Sequence, residues 1–128
     1  MENDLLETGT SEEGKLRIIQ ESVPGKQVTL AHILSRPDPL IYQELSLTPG
    51  DDYEHSGIGI LTMWPAEIAV IGGDLAFKNA QITMGFLDRF SGTLIFTGRL
   101  TNLQSAMTSI LAYLKDKLGF TVCNITRT

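Results

Sequence analysis

The sequence is poor in the residues that carry most protein chemistry: its 128 residues include one cysteine, two histidines and one tryptophan, and aromatics make up only 7%. A lone Cys123 excludes an intrachain disulfide. With His32 in an extended stretch, His55 in a loop and Cys123 distant from both, the ligands do not converge as a metal site requires, so neither metal nor cofactor is expected. No apolar run approaches the roughly 20 residues that span a bilayer, which excludes a transmembrane helix. The start, Met1-Glu2-Asn3-Asp4, lacks the basic and apolar regions of a secretory signal, so a reducing cytoplasm is the expected compartment. Clustered lysine and arginine are missing too. Without a basic face to displace counterions from a polyanion, a nucleic-acid partner is disfavoured.

Hydrophobic residues at 42% and charged residues at 20% match ordinary globular usage, and the length suits one domain with one core. The net charge of -5 is unevenly placed. Glu2, Asp4, Glu7, Glu12 and Glu13 hold five of the fifteen acidic groups, whereas from Lys15 onward ten basic residues face ten acidic ones. Residues 1–14 contain a single apolar pair, Leu5-Leu6, and cannot bury enough surface to offset ordering, so they read as a mobile tail.

Residues 15–25 form a second unit, in which Leu16 to Ser22 has the character of a short strand ending at the Pro24-Gly25 turn. Residues 26–128 are the domain proper. Gln27 to Ile33 is rich in β-branched residues and reads as a strand. Asp38-Pro39 caps and opens a helix of about two turns whose apolar side is Leu40, Ile41 and Leu45. Thr48 to Ser56 is loop chemistry, and Gly57 to Thr62 a buried strand. Pro65 opens a helix to about Asn79 with Ile68, Ile71, Leu75 and Ala76 on one face. Gly72-Gly73 within it costs about 1 kcal/mol per glycine against alanine, which implies a neighbour packed close to the backbone.

Alternation of Ile82, Met84 and Phe86, a turn at Asp88 to Gly92 and a return strand at Thr93 to Thr97 predict a hairpin. Thr101 and Gln104 have the spacing of a capping box. After them Leu103, Ala106, Met107, Ile110, Leu111, Leu114 and Leu118 draw a helical stripe closed by Gly119, and Lys115 and Lys117 suit the negative end of the helix dipole. Phe120 to Thr126 reads as a last strand. The sum is an α+β domain with helices on a mostly antiparallel sheet.

No catalytic set assembles from spacing. Ser91 could meet His32 and Asp74 across the fold, but its turn lacks the nucleophile-elbow pattern and a serine there is ordinarily a turn former. Cys123, between Val122 and Ile125, reads as a small buried hydrophobe, His32 as a hydrogen-bonded sheet residue and His55 as solvated. Gly57-x-Gly59 lacks the third glycine of a dinucleotide loop, and Pro24-Gly25-Lys26 lacks the rest of a P-loop. On this footing an enzyme is not expected.

Three stretches carry a resemblance: Ile18 to His32 (Ile18-Ile19-Gln20-Glu21-Ser22-Val23-Pro24-Gly25-Lys26-Gln27-Val28-Thr29-Leu30-Ala31-His32), Gly85-Phe86-Leu87-Asp88-Arg89-Phe90-Ser91-Gly92, and Cys123-Asn124-Ile125-Thr126-Arg127-Thr128. With them the chain resembles the bacterial microcompartment (BMC) shell proteins in their circularly permuted form, of the EutS and PduU type, from about Leu16 to the C-terminus. The stretch Leu30 to Pro37 is similar to the motif that ends unpermuted shell domains, here moved to the front.

The resemblance implies a non-enzymatic subunit of a cyclic homohexamer that tiles with other shell proteins around an ethanolamine- or propanediol-type pathway with an aldehyde intermediate, and that meets encapsulated cargo enzymes. A head-to-tail interface between identical subunits closes into such a ring when its rotation permits. By the same resemblance Arg89, Phe90, Ser91 and Gly92 line the axial pore. The strand Leu16, Arg17, Ile18, Ile19, Gln20, Glu21, Ser22 joins its symmetry mates in a small barrel over that axis, and Lys78 and Arg36 sit at the edge between hexamers. The alternative is a small oligomeric ligand-binding or regulatory α+β domain.

Overall fold

The computed structural model describes residues 25–128. The acidic segment 1–14 and the strand expected at Leu16 to Ser22 lie outside the described residues. The element order is β1 (Gln27–Ser35), α1 (Pro39–Glu44), a 3-10 turn (Tyr53–His55), β2 (Ser56–Trp64), α2 (Ile68–Asn79), β3 (Thr83–Asp88), β4 (Thr93–Arg99), α3 (Leu100–Leu118) and β5 (Thr126–Arg127). One sheet of order β3-β4-β2-β1-β5 holds all five strands. It is antiparallel except where β5 runs parallel to β1.

The main core lies between this sheet and the layer formed by α2 and α3. Val28, Ala31, Ile33, Leu61, Met63, Leu94 and Phe96 from the strands meet Ala69, Ala76, Leu103, Met107, Ile110 and Leu114 from the helices. Burying each large side chain there contributes about 1.5–3 kcal/mol. α3 keeps the expected stripe, and its end is the expected glycine: Gly119 adopts φ 72°, and the Gly119 and Phe120 amides both donate to the Leu114 carbonyl. Its start differs. The helix begins at Leu100 with Arg99 as an uncapped, extended first residue, so Thr101 is already inside the helix and the Thr101–Gln104 capping box does not form. β4 runs directly into α3, which leaves no loop in which a cap could sit.

α2 bears out the close approach implied by Gly72-Gly73 but not the face expected for it. The helix begins at Ile68, after a turn at Pro65 to Glu67, and buries Ala69, Gly72, Gly73 and Ala76, while Ile71 is exposed. The facing sheet residues are large, so the helix side must be small. A Cβ on Gly72 would lie 2.9 Å from Leu94 Cδ1, and one on Gly73 2.8 Å from Leu87 Cδ1. Ile68 and Leu75 flank this face and pack against the core.

The expected alternation of Ile82, Met84 and Phe86 is interrupted. A register shift between Met84 and Phe86 leaves Gly85 as an extra residue. Such a bulge turns the following residue to the other face. Met84 and Leu87 therefore approach Gly73, whereas Phe86 stands opposite Ile95 on the outer face. There His32, Ile60, Ile95 and Phe86 form one cross-strand row. The chain after α1 lies over part of it: Leu45 and Leu47 close a pocket of about 240 Å³ with Gly85, Phe86 and Ile95.

Asp38 caps α1 as expected, its carboxylate accepting from the Leu40 amide at 2.9 Å. The face differs, because Leu40, Ile41 and Leu45 are exposed and Tyr42 is buried. A helix of six residues is under two turns, too short for periodicity to select its inner side. The last strand is also shorter than expected. Thr121 bridges Gln27, and pairing resumes only at Thr126, because Val122, Cys123 and Ile125 turn toward the core between these points.

Two substitutions test this packing. A Cβ on Gly57 would lie 2.3 Å from the Leu34 carbonyl oxygen of the adjoining strand. Backbone cannot yield as a side chain does, so Gly57→Ala should cost about 2 kcal/mol or more in urea denaturation. Tyr42 Oη is buried and has no hydrogen-bond partner among the described residues. Burial pushes its phenol above the usual tyrosine range, with Tyr53 nearby adding to the effect. Removing an unpartnered hydroxyl relieves its desolvation, so Tyr42→Phe should leave stability unchanged or raise it by up to about 1 kcal/mol in the same measurement.

Candidate functional site

The side chains that could have formed a nucleophilic site are held apart by other partners. Ser91 Oγ donates to Asp88 Oδ2 at 2.7 Å and lies 3.0 Å from Thr93 Oγ1. Asp74 pairs with Lys78. His32 is the hydrogen-bonded sheet residue expected, with Nδ1 2.6 Å from Thr126 Oγ1 and Nε2 2.9 Å from Thr128 Oγ1, so it clasps β5 to β1. Cys123 is half-buried against the core. His55 is exposed, as expected, yet it also bonds Asp52. Among the described residues no three potential metal ligands group together.

The distinctive local structure is the turn joining β3 to β4. Asp88 organises it: one carboxylate oxygen accepts from the Phe90 amide at 2.9 Å, the other from Ser91 Oγ, and its carbonyl accepts from the Gly92 amide at 2.9 Å. The bonds to the carboxylate, that from the Phe90 amide first and then those from Ser91, hold the Asp88 carboxyl below its ordinary value. The Gly92 carbonyl then accepts from the Met63 amide, anchoring the turn to β2. Gly92 has φ 75°, and a Cβ there would lie 2.2 Å from the Met63 carbonyl oxygen, so only glycine fits. The turn thereby projects Arg89 and Phe90. Phe90 is 81% exposed, and the Arg89 guanidinium lies 5.0 Å from its ring centroid, within cation–π range.

The other expected positions gather at the opposite end of the sheet. Thr62 pairs with Thr93 beside the turn, and Ser56 pairs with Arg99 six residues along β2. At about 3.4 Å per residue the two ends are about 20 Å apart. Arg36 follows β1 at this far end, its amide bonded to the Ser56 carbonyl and its guanidinium 2.9 Å from Glu54. Lys78 is in the last turn of α2, 2.8 Å from Asp74, which holds its ammonium above the usual lysine range. From there the chain returns past Gly98, near the Gln81 carbonyl. Both Lys78 and Arg36 are solvent-exposed.

Sequence reasoning did not find a further cluster at this end. Asp52 accepts from Arg99 at 2.9 Å and bonds His55 at the same distance. The His55 bond, with the nearby Arg99 charge, pulls the Asp52 carboxyl below its ordinary value. Asp52 and Arg99 are 47 residues apart, and nothing local in either segment signals that they meet.

A sheet with two helices on one face, a glycine-closed turn at one end and a charged rim at the other defines a scaffold whose distinctive features are surfaces. Comparison with known proteins places it. The BMC domain family matches residues 57–126, and the chain belongs to that family. It is 43% identical over 115 residues to the bacterial microcompartment shell protein CutR of Streptococcus intermedius, covering 89% of this chain and 95% of that one. It is 42% identical over 112 residues to the shell protein PduU of Salmonella typhimurium, covering 88% and 93%. Identity to the shell protein EutS of Escherichia coli is 42% over 113 residues, covering 88% and 97%. The solved CutR flat hexamer, form 1, superposes with a TM-score of 0.75 at 38% identity, covering 88% of this chain and 99% of that one.

The turn generates a pH prediction. Because the folded Asp88 carboxyl titrates below its unfolded value near 3.8, its stabilising contribution is complete above that value and is lost as pH falls through the lower, folded one. Asp88→Asn should therefore lower Tm at neutral pH, and the gap to the parent protein should close on acidification below about pH 4, followed by circular dichroism.

Proposed function

We propose that this chain is a structural, non-catalytic shell subunit that forms a cyclic homohexamer and tiles edge to edge with copies of itself and other shell proteins. The observation that carries this reading is the placement of two kinds of surface at opposite ends of one sheet. A subunit in a flat ring needs one end at the axis and one at the perimeter, and the turn and the charged rim are about 20 Å apart along β2. The relatives support it: each is named a shell protein, and CutR has been solved as a flat hexamer.

In this reading Arg89, Phe90, Ser91 and Gly92 surround the axis, and Lys78 and Arg36 face neighbouring hexamers. The described chain begins beside the turn, since Gln27 pairs with Trp64 at that end of the sheet. That start supports a strand Leu16 to Ser22 assembling over the axis and narrowing the passage. Circular permutation is supported in a similar way: the family match begins at Gly57, while β1 lies ahead of it in sequence yet pairs inside the sheet between β2 and β5. The shell encloses a cytoplasmic pathway of the ethanolamine or propanediol type with an aldehyde intermediate, and its inner surface meets the cargo enzymes.

Native mass spectrometry of the purified protein should give a sixfold mass, and electron microscopy should show sheets or tubes. Lys78→Ala should keep the hexamer and abolish or strongly reduce the extended arrays. A stable monomer at micromolar concentration would overturn the proposal.

A further inference from the structure

We infer that Phe90 of each subunit enters the apolar pocket formed by Leu45, Leu47, Gly85, Phe86 and Ile95 on the next copy of this chain around the ring. This rests on the hexamer proposed above, within which it names a contact between neighbouring subunits. The pocket holds about 240 Å³, and leucine, isoleucine and phenylalanine side chains line it beside the bare backbone of Gly85. An apolar cavity of about 150 Å³ already accommodates benzene, so a phenyl ring fits here with room for its methylene. The bulge at Gly85 makes the site, because a Cβ there would collide with Leu47 Cδ2 and push Leu47 out of its seat. No charged group lines the pocket, which suits an uncharged apolar insert and rejects an ion.

Phe90 is the matching knob. At 81% it is the most exposed of the large apolar side chains among the described residues, so it does not occupy its own subunit's pocket. The turn also holds it in place, through the bonds of Asp88 to the Phe90 amide and Ser91 Oγ and of Gly92 to Met63. A side chain projected from a braced backbone loses little freedom on docking. Knob and hole are different places on one surface, so the contact is head-to-tail and generates a ring when its rotation closes. Phe86 lies on β3 and Phe90 in the turn that follows it, about 10 Å apart. In a sixfold ring, neighbouring copies of one point are as far from each other as from the axis. Turns placed near the axis therefore lie close to the next copy's β3. The Arg89 guanidinium lies over one face of the Phe90 ring, 5.0 Å from its centroid, and stays at the pocket mouth, where its charge keeps water.

The full-length protein is first weighed by native mass spectrometry. Phe90→Ala should then raise the concentration at which the hexamer half-dissociates by about tenfold or more, as for truncation of an aromatic anchor seated in a pocket, with the far-ultraviolet circular dichroism spectrum unchanged. Cross-linking reads the pairing itself. In a Cys123→Ala background, which removes the sole native cysteine, Phe90→Cys is combined with Leu45→Cys. A bis-methanethiosulfonate linker about as long as the phenyl ring it replaces should join these chains into a ladder reaching six on non-reducing gels. Either cysteine alone should stop at a dimer. An intact hexamer that yields no ladder overturns the inference and leaves the shell reading standing, as does one that Phe90→Ala does not weaken. A parent protein without a hexamer overturns the shell reading and this contact with it.

Discussion

Pairing of β2 with β1 on one side and β4 on the other is the constraint on which the rest of the molecule depends. Gly57 and Gly59 leave half of its inner surface bare, and Leu100, Leu103 and Met107 of α3 and Phe96 of β4 fill the space that side chains would have taken. The strand's far terminus continues through Met63 to Gly92 and so holds the β3–β4 turn in place. One ladder therefore fixes how close the helical layer sits and how far the turn stands from the charged rim. A chain slip of one residue along β2 would exchange its two faces, which is why register here is strongly specified.

The second constraint is the approach of α2. A helix that buries two glycines and two alanines gives up side-chain burial and helix propensity, about 1 kcal/mol per glycine, in return for bringing its backbone onto Met63, Leu87 and Leu94. Its larger residues are displaced outward: Val70 is 51% exposed and Phe77 54%. Together with Phe90 and Trp64 these leave more large apolar surface in water than an isolated domain needs. Such surface commonly marks contacts with other chains, and a subunit built to be surrounded by copies accounts for it.

Where local chemistry decided the outcome, it was legible in the linear chain. The Asp38-Pro39 start, the Leu103 to Leu114 stripe, the glycine at 119 and the close approach at Gly72-Gly73 each follow from a few neighbouring residues. Misreadings arose where two segments distant in sequence had to agree. Thr101 and Gln104 have capping-box spacing, but β4 runs straight into α3 and allows no cap. The alternation at Ile82 to Phe86 ignores a bulge whose extra residue, Gly85, is accommodated by Leu47 from another segment. Ile71 lost its inner position to smaller residues because the sheet opposite α2 is crowded. Of the candidate site, the turn was visible as a unit, whereas the Asp52–His55–Arg99 cluster was not.

The sequence by itself determined the balance of the body against its acidic leading segment, the shortage of metal-ligating and nucleophilic sets, the α+β class and the kinship to microcompartment shell proteins, because composition and short motifs survive without coordinates. Only the tertiary structure decided that the turn and the residues Lys78 and Arg36 lie at opposite ends of one sheet, that Asp88 is consumed within its turn while Arg89 is presented outward, and that small residues form the buried face of α2. Those relations come from strand register and layer packing, which join residues tens of positions apart and leave no local trace along the chain.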